Sequence, residues 1–593
     1  MFNAVSLLAV VSAAVSVQAW ANPFPVETCH GVDIKDITVA RLQEHFDAGN
    51  LTSVQLCECY VARLNKTNPH VHHVIEINPD LHDIASKLDA ERANGTTRGP
   101  LHGIPIISKD NIATDDGFNT TDGNLALLGS RVKQDAHVIK KLREAGVIIL
   151  GHANESEDAD HRAVISFSEG YSDRGGQTRN VWNGTQQTAG SSTGSAQAVA
   201  GYNILMAIGT ETHGSIVHPA GHAGVVGLKP TVGLTSRDGV IPGSHNRDSV
   251  GSFARNVHDA ALLLDVMYGV DENDDKSFGQ VGRTPSGGYA QFATNKSALA
   301  GAVFGIPWHI WWSTVAGVRA PGNSEKLLAK IKQLEDAGAT IVNITEPLPY
   351  SDDIQNAYGW GDAAGTPYWL QSARYLNVDL YVGYTDWLQN KITWPRGRND
   401  TTDLPLNNLG DLVVWNAQHN ASTGALGGHF PWNSGQDQLI AAVATAGIRN
   451  EKYYTALNWR QSRSMACIDG GYVYTNGNGT TIELDALLIP NVGGGGASSS
   501  FSSVLDAATY PGITIPIDID PWKLPLGLGI WGRAYGEGKM IKWASAMEDL
   551  FQFNANFEPE FINYNTTKIP FDARWPGYSC TTDSLTHLGC SPA

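Results

Sequence analysis

Residues 188–217, T-A-G-S-S-T-G-S-A-Q-A-V-A-G-Y-N-I-L-M-A-I-G-T-E-T-H-G-S-I-V, hold two serine-bearing, glycine-rich turns separated by an apolar segment from Ala196 to Ile208. The length of that segment suits one short helix followed by a buried strand, so the two turns can meet in space. A strand ending near Gly209 and followed by T-E-T-H-G-S presents successive backbone N–H groups and the Ser215 hydroxyl at one tight turn. An oxyanion hole needs that arrangement, which makes Ser215 the candidate nucleophile. The earlier turn offers Ser191 and Ser192. Upstream, G-I-P-I-I-S-K-D-N at 103–111 sets Lys109 at the end of an apolar run, where desolvation disfavours the charged amine.

Outward from this stretch, short apolar runs alternate with helical patterns. Ile104–Ile107 is followed by a helix over Ala136–Ala145 stopped by Gly146, then by Val147–Leu150, Ile204–Ile208 and Val225–Leu228. Alternation of this kind predicts an α/β fold: a mixed, largely parallel sheet covered by helices on both faces, with its chemistry at the carboxyl ends of strands. Residues 33–98 read as helical. Val39, Leu42 and Phe46 share a face that ends at Gly49, and Thr52 with Gln55 forms a capping-box pattern before Val54, Cys57, Val61 and Leu64.

The chain resembles the amidase signature family in G-I-P-I-I-S-K-D-N, in R-G-G-Q-T-R-N at 174–180, in the glycine/serine turn, in G-T-E-T-H-G-S-I at 209–216 and in G-V-V-G-L-K-P-T at 224–231. The resemblance implies a triad of Lys109, Ser191 in a cis peptide and nucleophilic Ser215. It implies an oxyanion hole made of the backbone N–H groups of Thr212, His213, Gly214 and Ser215, with Ser192, Gln177 and His213 contacting substrate. His213 stands where the family usually has Gly or Asp. The family form fades between about 276 and 480 and returns at D-A-L-L-I-P (485–490), Y-P-G-I-T-I-P (510–516) and L-P-L-G-L-G-I-W-G-R (524–533), with a closing helix near Met540–Phe551. These features predict one amidase signature domain over 99–560 with a variable insert, preceded by a helical segment at 22–98. Ten of the sixteen tryptophans fall between Trp308 and Trp459 and are read first as packing of that insert, with an aromatic acyl pocket as the sharper alternative. The loop G-G-G-G-A-S-S-S at 493–500 is expected to border the substrate channel.

Residues 1–21 have the short apolar core and small-residue end of a secretory signal. Twelve N-x-S/T sequons, at Asn50, Asn65, Asn94, Asn119, Asn154, Asn183, Asn295, Asn343, Asn399, Asn420, Asn478 and Asn565, fit export, although Asn154 and Asn183 fall beside the predicted core. Six cysteines suit disulfides, and Cys580 with Cys590, in a tail at 561–593, is the favoured pair. A net charge of −18 with no basic run argues against nucleic-acid binding, and the N-terminal run is too short for stable membrane insertion.

The chemistry expected is cofactor-free hydrolysis of a small-molecule amide. Neutral Lys109 takes a proton from Ser191, Ser191 takes one from Ser215, and the reversed relay protonates the leaving amine. Two other function classes compete. G-S-S-T-G at 190–194 matches G-x-S-x-G and would make Ser192 the nucleophile of an α/β-hydrolase esterase, but the polar stretch before it is no buried strand. A catalytically silent secreted binding protein is the other, weakened by the intact Lys109, Ser191 and Ser215. No metal is expected: His218 and His222 are spaced i,i+4, but the proline and glycine between them argue against a helix, and no third ligand motif joins His213.

Overall fold

A computed structural model describes residues 22–163, 169–313, 322–356, 372–394, 406–419, 436–475, 478–492, 496–566, 578–581 and 589–592. The predicted signal at 1–21 and the Gly493–Gly495 part of the glycine loop lie outside the described residues; from Gly496 the chain is helical, through Ala508.

The core is one eleven-stranded sheet. In chain order its strands are β1 (Val74–Ile77), β2 (Pro105–Lys109), β3 (Ile148–Ala153), β4 (Met206–Glu211), β5 (Val226–Lys229), β6 (Ser249–Ala254), β7 (Val303–Pro307), β8 (Thr340–Ile344), β9 (Ala486–Val492), β10 (Gly512–Ile519) and β11 (Pro525–Trp531). They lie in the order β1-β3-β2-β4-β6-β5-β10-β11-β9-β7-β8. The sheet is mixed. Parallel pairing unites β3, β2 and β4 in one wing and β9, β7 and β8 in the other, while the strands between them pair antiparallel. Strands β2, β3, β4, β5 and β6 are buried along their whole length, which is why they read as continuous apolar runs rather than alternating ones.

The N-terminal helices form where the pattern places them. Val39–Asp47 buries Val39, Leu42 and Phe46. Ser53–Val71 opens on a capping box in which the Thr52 side chain accepts from the Gln55 N–H and the Gln55 side chain accepts from the Thr52 N–H, a device worth about 1 kcal/mol. Two features of this segment go beyond the helical reading. It contributes β1, an antiparallel edge strand on β3, and Cys29 is disulfide-bonded to Cys59 across the Ser53–Val71 helix. Cys57 and Cys467 are buried free thiols. In the tail, Tyr578–Thr581 pairs antiparallel with Gly589–Pro592, which sets the Cys580 and Cys590 backbone positions opposite one another.

The stretch 276–480 is not wholly an insert. It supplies β7 and β8, which extend the main sheet in parallel beyond β9. Each is only five residues long, too short a run to stand out by periodicity. The packing reading of the tryptophans holds for Trp311, Trp312, Trp387 and Trp415, all buried in the main core. Trp311 meets Trp531 edge to face at 4.9 Å, and Trp312 Nε1 donates to the Leu488 carbonyl at 2.8 Å.

Candidate active site

Strands β2 and β4 are parallel neighbours in the register Ser108↔Ile208, so Lys109, the last residue of β2, emerges beside the end of β4. Its side chain is fully buried. Lys109 Nζ donates to Ser191 Oγ at 2.6 Å and to Thr210 Oγ1 at 3.0 Å, and it lies 3.2 Å from Glu155 Oε2. Asn111 Nδ2 donates to the same Thr210 hydroxyl at 3.0 Å. The sequence reading anticipates a dry lysine in apolar surroundings. The side chain is dry, but its surroundings are polar: β2 supplies the apolar run through Ile107, and at Lys109 the chain turns into a cluster of hydroxyls and carboxyls.

The two glycine-rich turns meet as their spacing predicts. The Gly190–Ser191 peptide is cis. The Ser191 carbonyl accepts from the Ser156 and Thr193 N–H groups, and the Ser192 N–H donates to the Ser215 carbonyl at 3.2 Å. Ser191 does not cap the helix Thr193–Ala200 with its side chain, because its hydroxyl faces Lys109. Ser192 is a brace. Its buried hydroxyl donates to the Thr210 carbonyl at 3.0 Å and accepts from the Thr210 N–H at 3.2 Å. That double engagement ties the Ser192 hydroxyl to the backbone of β4. Gln177, also named as a substrate contact, is buried on a hairpin and donates to the Glu169 and Thr178 carbonyls, so it clamps its own loop.

Ser215 is buried at 6 % exposure and follows Gly214, whose φ of +85° gives the turn its left-handed step. The helix Val217–Ala223 begins immediately afterwards, and the Glu211 carboxylate accepts from the Ile216 N–H at 2.6 Å and the Val217 N–H at 2.8 Å. A carboxylate there satisfies otherwise orphaned donors and complements the helix dipole. The Gly214 N–H of this turn donates to Asp506 Oδ2 at 2.9 Å. One of the four expected oxyanion donors is therefore engaged by a carboxyl of the protein itself. Asp506 is buried, with Lys229 Nζ 3.7 Å from its other oxygen; burial first, and then Glu211, raise its carboxyl well above the usual range.

The helical state of His218 and His222 corrects the expectation that proline and glycine exclude a helix there. Pro219 sits in the first turn, where its missing N–H has no intrahelical partner to lose. Gly221 packs so closely on β9 that a Cβ would meet the Asn491 carbonyl at 2.8 Å. Among the described residues no group of three or more His, Cys, Asp or Glu side chains is arranged to hold a metal.

Sequence reasoning missed Thr210, Glu155, Asp506 and His161. Thr210 lies inside a quoted motif. His161 is buried, and a Cβ on Gly243 would touch both its Nε2 and Thr212 Oγ1, which places it against the oxyanion turn. Gln438, from the helix Asp437–Val443, contacts its Nδ1 at 3.1 Å, and burial lowers its pKa to about 4, so it is neutral near pH 7.

Fold and site together place a buried lysine and a buried serine side by side at the strand ends of an α/β sheet. Residues 55–379 match the family model described as Amidase. A relative in Schizosaccharomyces pombe is 41% identical over 93% of this chain and 91% of its own length, and one in Arabidopsis thaliana is 36% identical over 87% and 90%; both bear amidase names. The structure of native peptide amidase from Stenotrophomonas maltophilia superposes with a TM-score of 0.74 at 34% identity, covering 89% of this chain and 99% of that one. This chain belongs to the amidase signature family and is an amidase.

Proposed function

We propose that the protein is an exported, glycosylated amidase that cleaves linear carboxamides through an acyl-enzyme on Ser215. The observation that carries this reading is the buried 2.6 Å contact between Lys109 Nζ and Ser191 Oγ, on a turn bonded to the Ser215 carbonyl through the Ser192 N–H. An amide is a poor acylating agent, so its hydrolysis needs an activated hydroxyl, a stabilised oxyanion and a proton for the leaving nitrogen. Ser215 supplies the hydroxyl and Ser191 the intermediate proton carrier. Lys109, as the free amine, is the base, and the same three groups reversed protonate the amine that leaves. The N–H groups of Thr212, His213 and Ser215 hold the oxyanion, and water completes the cycle.

The likeness to a peptide amidase makes short peptide amides the first substrates to try. Export is supported by the Cys29–Cys59 disulfide and by seven exposed sequon asparagines: Asn50, Asn65, Asn94, Asn295, Asn343, Asn478 and Asn565. Buried Asn154 is excluded as an acceptor.

A fluorophosphonate added to the purified protein tests the nucleophile. The adduct is expected on Ser215 by peptide mapping, with loss of amide turnover. An adduct on Ser192 would replace this mechanism by the esterase one, and absence of both adduct and turnover would leave a silent binding protein.

A further inference from the structure

Glu155 is a carboxyl with nowhere to go. It follows β3 by two residues, and the β2–β3 register sets Lys109 opposite Ala153, so the Glu155 side chain arrives at the lysine from the neighbouring strand end. It is completely buried. Among the described residues its carboxyl lies 3.2 Å from Lys109 Nζ, and the buried carboxyl of Asp122 is near enough to act on it. Two buried carboxyls that interact are not both ionised, so one proton is retained by the pair. Asp122 in turn accepts from the Tyr384 hydroxyl, whose oxygen also lies 2.9 Å from Asp158 Oδ1. Other titratable groups face the cluster, among them His161, which burial keeps neutral and which also feels the Lys109 charge. Asp110, next to Lys109, is bonded to His152 and Arg174, and Asp158 is held by Asn124 and Arg162. Burial first, and then the Asp158 charge, push Asp122 up to about 7; burial, opposed by Lys109 and reinforced by Asp122, raises Glu155 well above the usual range.

We infer that Glu155, together with Asp122, is a proton-holding pair that makes Lys109 available as a base without loss of a proton to solvent. This inference rests on Lys109 being the base. With the lysine protonated and one proton shared by the two acids, the cluster of three groups is neutral overall, the least costly charge state for a buried site. Moving one proton from Lys109 Nζ to Glu155 leaves the total unchanged: the N–H bond breaks, an O–H bond forms, and an amine stands beside two protonated acids. Rotation about Cε–Nζ then turns the lone pair from Glu155 toward Ser191. Binding of a further proton, with lysine and both acids protonated, removes the acceptor, so the acid limb of the rate profile belongs to the acid pair. Glu155 is a positioning residue: it acts through Lys109 and does not reach substrate.

The test is the pH profile of kcat/KM for amide hydrolysis in the wild type, Glu155→Gln and Tyr384→Phe, with Ser215 fluorophosphonate labelling recorded alongside. In Glu155→Gln the lysine can lose its proton only to solvent, so the acid limb is expected to move to higher pH by on the order of one to two units, with the high-pH plateau kept within about ten-fold. Tyr384→Phe removes a donor that favours ionised Asp122, so the pair takes its last proton at higher pH and the limb is expected to shift less, in the same direction. It also serves if Glu155→Gln does not fold. A limb that moves to lower pH would overturn the inference and make Glu155 a simple counter-ion. An unmoved limb with uniformly lower rates would overturn it in favour of a structural role. If Lys109→Arg keeps its turnover or Ser215 is not labelled, the mechanism itself fails; if those controls behave and only the limb disagrees, the proton-holding pair alone is wrong.

Discussion

At one side of the sheet β3, β2 and β4 run parallel and end in Lys109, Thr210 and Glu211, with Glu155 just beyond; at the other, β9, β7 and β8 also run parallel, and β7 ends at Pro307 against Trp311 and Trp312. Five antiparallel pairings separate β4 from β9, so the two wings point in opposite senses and their carboxyl ends lie at opposite edges. The architecture is repeated but the cargo differs. The lysine wing buries charge and hydroxyls, which is costly for stability and useful for proton transfer. The tryptophan wing buries indole, which stabilises and does no chemistry. Parallel strand ends therefore provide a location, and the residue types placed there decide whether it becomes a reaction site or a keystone.

The sharpest way to break this contrast is at Lys109. Lys109→Arg keeps the positive charge but cannot accept a proton, so kcat/KM for an amide is expected to fall about 100- to 10,000-fold, with thermal stability changed far less. Turnover close to wild type with an unchanged pH profile would make the lysine structural and erase the distinction between the wings. The reciprocal change is Trp531→Ala, which empties the edge-to-face contact with Trp311. It is expected to cost about 3–5 kcal/mol in denaturant unfolding while leaving kcat per labelled Ser215 nearly unchanged. A large fall in kcat of the folded fraction would show that the tryptophan wing reaches the chemistry. The smallest effect is expected at His213, half-buried in the nucleophile turn. His213→Gly preserves the backbone donors, so it should shift relative kcat/KM between small and bulky amides by about ten-fold or less. Uniform loss across substrates would instead give the imidazole a part in the reaction.

The lysine wing was the more legible of the two in the sequence, for physical reasons. Its strands are fully buried apolar runs closed by Gly and Ser turns, and Lys109, Ser191 and Ser215 sit in local motifs that describe their own turns. β7 and β8 are bounded by Gly301, Pro307 and Gly338 but are five residues each, and β8 joins the sheet through β7, which itself pairs with β9 far along the chain. Glu155, Asp506 and Tyr384 were invisible for a related reason: each acts through contacts between distant segments, as when Asp506 meets the Gly214 N–H from 292 residues away. Cys29 and Cys59 could not be paired from an even cysteine count, since their closeness depends on where the Ser53–Val71 helix lies. Pro219 and Gly221 misled because residue type alone does not say which turn of a helix a proline occupies.

The β5–β10 pairing has a further consequence for how the protein is made. Every strand from β1 to β6 lies on one side of that junction, and the two strands that first cover it, β10 and β11, come from residues 512–531. During synthesis the N-terminal half of the sheet therefore waits with β5 as an uncovered edge, its backbone donors and acceptors open to any passing strand. The Gly214 N–H waits as well, since Asp506 emerges only shortly before β10. Ribosome-bound chains shorter than about 500 residues would accordingly hold Ser215 and Lys109 without the clasp on the Ser215 turn, a built-in delay between carrying the residues of the proposed site and assembling them.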